Sequence, residues 1–273
     1  MRTAAVLILV AAGSTAVLAR ETPQDLVKDM VHNELTANQH QNYWMYQDSN
    51  TQSGKTTVSR VVETPECWFQ WVVSVNGQPP TAAQESKQQS KINALVNSES
   101  ARRKSREAVV QDGKKAENLV RMLPNIFLYT EDGEQNGDIR LKFRPNPQFD
   151  PPNDAAKVFH HMQGTLLINQ QEKRLAGISG TLMQDVTFGW GILGRLYKGG
   201  TFHVMQSRLA PDDWELTKLD VHIHGRALFF HTISENQAEV KTGFEPVPPG
   251  TTLARAAALA EHGTENASAA EAK

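Results

Sequence analysis

Between residues 126 and 234 the chain is a succession of short apolar runs cut by turn residues, and this constrains the fold more than any other feature. Runs at 126–130, 139–143, 158–169, 174–184, 201–208, 214–224 and 227–234 have the length and composition of strands. Turn residues separate them at Asp132-Gly133, Asn136-Gly137, the proline-rich FRPNPQFDPPND, Pro211-Asp212-Asp213 and Gly225-Arg226. The last two links are too short for anything but hairpins. The sheet they build is antiparallel.

The same pattern opens the chain. Strands are expected at 43–46 and 57–62, with a turn at Ser53-Gly54-Lys55. A third follows in CWFQWVVSVNG. There Cys67, Phe69, Trp71, Val73 and Val75 share one face, while Gln70, Ser74 and Asn76 take the other. Links this short leave no room for crossover helices, so these three strands form an antiparallel meander.

Helices interrupt the strands at two places. Thr22-Pro23-Gln24-Asp25 supplies an N-cap, a proline at the first helical position and an acid in the first turn. Leu26, Val27, Met30 and Val31 then recur at helical spacing, which predicts a helix over 23–36. Residues 81–123 are polar and free of proline, with Ile92, Leu95, Val96, Ala116, Leu119, Val120 and Leu123 at helical spacing. They read as two helices broken near Gly113, or one bent helix. Nine lysines and arginines stand against five acids here, densest at Arg102, Arg103, Lys104 and Arg106. That face is either solvated or a docking surface for anionic headgroups or an acidic partner. After PVPPG at 246–250, an Ala-rich tail is expected to form a short helix and then to be partly disordered.

The first residues, MRTAAVLILVAAGSTAVLA, have an early Arg2, a short apolar run and a small-x-small site ending at Ala19. They read as a signal peptide at 1–19, with a single domain over 20–245 and a periplasmic or secreted destination. The run is too short to span a bilayer. Loss of Arg2 would take the formal charge from −2 to −3, a balance that does not suggest nucleic acid. A lone Cys67 excludes an internal disulfide and is best read as a small core hydrophobe.

Two motifs invite a catalytic reading and fail. GWGILG at 189–194 matches the G-x-G-x-x-G of dinucleotide-binding turns, and Asp212 and Asp213 follow about 20 residues on. That turn works only where it opens a helix in a βαβ unit, and Tyr197-Lys198-Gly199-Gly200 leaves no room for the helix. The segment is instead an apolar plug or lid. His222 and His224 share a strand face. A tight turn at Gly225-Arg226 would add Asp220 and His231, a conceivable metal set facing solvent. Polar side chains that simply face solvent account for it better, so no metal, cofactor or enzymatic activity is implied.

The phrases GTLLIN at 164–169, G-I-L-G-x-L-x-K-G-G-x-F at 191–202 and W-x-L-x-x-L-x-V at 214–221 lie within a stretch over most of 122–234. That stretch resembles a family of exported bacterial proteins which is itself similar to the outer-membrane lipoprotein carriers (LolA-like) and lipoprotein-sorting proteins. The resemblance implies an α+β fold, a curved, unclosed antiparallel β half-barrel with helices covering the concave face. Between sheet and helices it implies an apolar cavity for acyl chains. The cavity arginine of those carriers has no matching motif here. Arg140, Arg144 and Arg174 are the available arginines, and no binding residue carries over.

The expected function is therefore non-catalytic binding of a lipid, an acylated protein or another hydrophobic ligand, as in lipoprotein or lipid transport to the outer membrane. Phe69, Trp71, Val73, Trp190, Ile192, Leu193, Phe202, Leu228 and Phe230 are the candidate lining. The alternative is a cell-envelope scaffold that docks a protein partner, or transiently a membrane surface, through Arg102, Arg103, Lys104 and Arg106.

Overall fold

The computed structural model describes residues 21–37, 42–188, 194–227 and 231–270. Helix α1, Pro23–Thr36, begins as the sequence requires: the Thr22 hydroxyl accepts a hydrogen bond from the Asp25 N–H at 3.1 Å. Leu26, Val27, Met30 and Val31 are buried on one side of it. Three antiparallel strands follow, β1 Trp44–Gln52, β2 Lys55–Glu63 and β3 Trp68–Val75.

Two helices come next, α2 Ala82–Asn97 and α3 Glu99–Ile126. The break falls at Ser98, not near Gly113. The Ser98 N–H closes α2 on Ala94 O, and its hydroxyl caps α3 by accepting from Ala101 N. Gly113 lies inside α3 with open space around it, where a glycine costs about 1 kcal/mol and does not end a helix.

The remainder is mostly strand: β4 Phe127–Gln135, β5 Asp138–Pro145, β6 Met162–Asn169, β7 Leu175–Leu182, β8 Val186–Phe188, β9 Gly194–Leu196, β10 Thr201–Ala210, β11 Asp213–Ala227 and β12 His231–Pro246. A short helix, α4 Asp154–His160, occupies the start of the run expected to be strand from 158. Asn153 caps it by accepting from Ala156 N at 2.9 Å, so the strand begins only at Met162.

Among the described residues the strands form one antiparallel, half-barrel-like sheet in the order β3-β2-β1-β12-β11-β10-β7-β6-β5-β4. The small β8–β9 ribbon attaches to β11. The sheet does not close, because β3 and β4 are its two edges. Helix α3 starts beside one edge and runs directly into the other. Its 28 residues give a length of about 42 Å, close to the ~43 Å that nine strand spacings would cover in a flat sheet.

The α1/α3 face carries the main core. Leu26, Val27 and Met30 of α1 and Leu123 and Ile126 of α3 pack on Phe127, Leu141, Phe143, Leu166, Ile168, Ile178 and Leu182. A buried ion pair fixes α1 in place. Glu34 Oε1 accepts from Arg174 Nε at 2.7 Å and from Leu175 N at 2.8 Å.

The last helix, α5 Leu253–Ala270, turns sharply at Gly263, whose φ is 77°. Its first part is not a loose tail. Ala256, Ala257, Leu259 and Ala260 pack on Val62, Cys67 and Phe69 of the opposite sheet face and on Ile92 and Leu95 of α2. Small side chains let the helix lie close, and Arg60 donates to the carbonyls of Ala260 and Glu261 near the turn.

Candidate ligand-binding cavity

A cavity of about 640 Å³ lies between the sheet and the α2–α3 pair. Its floor is built by alternate residues of adjacent strands: Tyr46 and Asp48 of β1, Val61 of β2, Trp68 and Gln70 of β3, and Glu239 and Lys241 of β12. Register makes them neighbours, since Tyr46 pairs with Val61, Val61 with Gln70, and Asp48 with Lys241. The opposite wall is largely apolar. Ile92, Ala94 and Leu95 come from α2, and Ala101, Ala108 and Val109 from α3. Lys91 and Lys104 line it too, but both are exposed.

The floor holds more negative charge than it can neutralise. Tyr46 sits in the field of Glu63, Glu215, Asp48 and Glu239, and burial with those charges drives its hydroxyl strongly upward. Lys241 is the cation whose field reaches Asp48, Glu63 and Glu215. Its ammonium lies 3.6 Å from Glu239 and 5.2 Å from the centre of the Tyr46 ring. Burial, then the charge of Glu239, pushes Asp48 up to about 6. Burial, then Glu63 and Asp213, pushes Glu215 up to about 7. Glu63 is also raised, chiefly by burial, although it accepts a hydrogen bond from Trp44 N at 3.2 Å.

The residues expected to line a cavity fall elsewhere. Phe69 is fully buried and Trp71 half-buried in the cluster under α2 and α5, on the other side of β3 from Trp68 and Gln70. The two faces of that strand are as expected from Trp68 to Trp71; past the register break at Val73, Val75 falls on the cavity side and Ser74 on the other. The apolar one is covered by α5, and the cavity opens on the other. Val73 falls at the break in the β2–β3 register and does not line the cavity. Phe202 packs over Gly180 and against Phe159, at 5.7 Å between ring centres, in the main core. Trp190, Ile192, Leu193, Leu228 and Phe230 lie outside the described residues, as does the expected leader.

The basic cluster divides. Arg102 is engaged, donating to Leu95 O and Val96 O at 3.0 Å and pairing with Glu66 at 2.8 Å. Arg103, Lys104 and Arg106 are exposed. None of Arg140, Arg144 and Arg174 reaches the cavity.

The histidine reading needs correction as well. β11 does not turn at Gly225-Arg226 but continues to Ala227, which pairs with His231. Asp220 therefore faces Ala238, and His231 is far along the ladder from it. Gly225 is needed for another reason: a Cβ there would come within 2.4 Å of Arg195 O on β9. Among the described residues no three His, Cys, Asp or Glu side chains converge as a metal site. Around GWGILG, β8 and β9 pair antiparallel with Phe188 opposite Gly194, the geometry of a ribbon and not of a βαβ unit.

Tyr46, Asp48, Glu239 and Lys241 escaped the sequence reading. A signal was present in WMYQD, where Asp48 takes a strand position in phase with the buried Trp44 and Tyr46; AEVKT offers none. No protein-family model and no curated protein matches the chain.

Proposed function

We propose that this protein is a non-catalytic binding protein of the cell envelope, exported by the leader at 1–19. Its ligand is amphiphilic, such as a lipid or an acylated protein, and is held between the sheet and α2–α3. The cavity itself carries the reading. Its volume of about 640 Å³ falls in the ~300–1,000 Å³ typical of small-molecule sites. Its helical wall is largely apolar, and its sheet floor carries the polar Asp48, Gln70, Glu239 and Lys241, a division that suits an amphiphile. Each methylene moved from water to the helical wall contributes about 0.8 kcal/mol. The unclosed antiparallel sheet with α1 and α3 on one face supports the reading.

The test is native mass spectrometry of the protein from a bacterial periplasm, with solvent extraction of whatever is released. A bound mass of several hundred daltons, lost from Ala108→Trp, is the expected result; that substitution fills the cavity from an exposed position. Wild-type protein that carries nothing and ignores added amphiphiles would sink the reading.

The exposure of Arg103, Lys104 and Arg106 favours a second reading, a scaffold that docks an acidic envelope partner on α3. Changing Arg103 and Arg106, which do not line the cavity, to Gln should weaken such docking and spare ligand binding.

A further inference from the structure

One atom of the floor is left without a partner. Asp48 stands directly opposite Lys241 across the β1–β12 ladder, yet the Lys241 ammonium is turned to Glu239 and the Tyr46 ring. Among the described residues Asp48 Oδ1 is buried with no hydrogen-bond partner. A buried acceptor left unmatched costs about 1–3 kcal/mol, and more when charged, unless something in the cavity satisfies it. Around it are the aromatic side chains of Tyr46 and Trp68 and the second carboxylate, Glu239. Carboxylates beside aromatic faces form the usual surroundings of a bound ammonium.

Resting on the binding reading above, we infer that the cavity selects an amphiphile with an ammonium head. The cationic nitrogen would sit at Asp48 beside Tyr46 and Trp68, and the chain along Ile92, Leu95 and Val109. An anionic head would meet Asp48 and Glu239 with only an already engaged Lys241 to oppose them. A neutral hydroxyl head would give Asp48 Oδ1 one uncharged hydrogen bond and no opposite charge. Lys91 and Lys104 stand exposed on the helical side, where water screens them. They do not cancel the floor.

Calorimetric titration of the protein at pH 7.5 with dodecylammonium, dodecanol and dodecanoate tests the inference. The ammonium should bind about tenfold or more tightly than the carboxylate. In Asp48→Asn its affinity should fall about fivefold, with dodecanol unchanged to within about twofold. Retained dodecanol binding shows that the variant is folded. If the variant loses dodecanol as well, the wild-type ratio decides, and an ammonium preference below about threefold overturns the inference. Dodecanol binding with no ammonium preference overturns the head-group selection alone. If none of the three binds, the cavity reading falls with it. Lysophosphatidylethanolamine, titrated in parallel, distinguishes a lipid headgroup from a simple alkylammonium by which of the two binds more tightly.

Discussion

A single row of side chains crosses the whole sheet and changes character halfway. From β5 to β11 it reads Leu141, Leu166, Ile178, Val204 and Leu219; from β12 to β3 it continues as Glu239, Asn50, Thr57 and Val75. Both halves face the same side, and α3 joins the two edges. Under α1 and the end of α3 the first half is closely packed. Under α2 and the start of α3 the second half keeps a cavity with carboxylates in its floor. Backbone architecture is common to the two, so the difference comes from side chains at alternate strand positions. A sheet can hold a core and an open cavity on one face when the polar residues are confined to neighbouring strands.

The sharpest way to break this contrast is to truncate a large side chain at each end. Phe127 is fully buried, with the Phe143 ring 4.3 Å and the Phe159 ring 5.1 Å away. Phe127→Ala should cost about 3–5 kcal/mol in urea unfolding. Gln70→Ala, on the cavity floor, should cost less than about 0.5 kcal/mol in the same assay. Equal losses would mean that the two ends do not differ as described.

Next in size is the ion pair at the closely packed end. Arg174→Met leaves Glu34 buried without its partner and should cost about 3 kcal/mol, measured the same way. Adding Glu34→Leu should restore part of that loss, because the uncompensated charge is gone.

The cavity end should instead announce itself through pH. Asp48 and Glu215 have raised values, about 6 and about 7, so between the unfolded carboxylate range and those values the folded state binds more protons. Stability should therefore fall as pH rises from about 4 to about 7 and then level off. Glu215→Gln should flatten the curve and add about 1–2 kcal/mol near pH 8, once solvent screening is allowed for. Thermal melts across that range would contradict the account if the variant's slope equalled the wild type's.

The smallest effect concerns the β3 edge. Gln88 of α2 accepts from Val72 N and donates to Val72 O, occupying ladder positions that another strand could otherwise use. Gln88→Ala should cost about 1 kcal/mol and increase self-association in sedimentation at high concentration.

Much of this was legible in the sequence where local signals act alone. The Thr22-Pro23 start of α1 and the alternation of β3 as far as Trp71 depend on a few adjacent residues, and both appear as expected; the break at Val73, which moves Val75 to the cavity side, has no such local signal. The break at Ser98 was readable too. Ser-Glu is a helix-start pair, and it outweighs an exposed Gly113 that disturbs nothing. Asn153-Asp154 carried the same kind of signal for α4. What could not be read is which partner each face would meet. Phe69 and Trp71 advertise an apolar face, but only the folded chain brings α5 over it and leaves Trp68 and Gln70 to the cavity. Gly225 looked like a turn residue because the close approach of β9 is invisible along the chain.

The order of the sheet also sets an order of events. β1 finds its second neighbour in β12, with Trp44 opposite Pro246 and Gln52 opposite Gln237. During synthesis the β1 edge must wait for almost two hundred further residues before it is paired. Contacts this distant slow folding and prolong the time an open strand edge is exposed to other chains. A chain cut short before residue 237 would keep its N-terminal meander but lose the strand that joins it to the rest of the sheet.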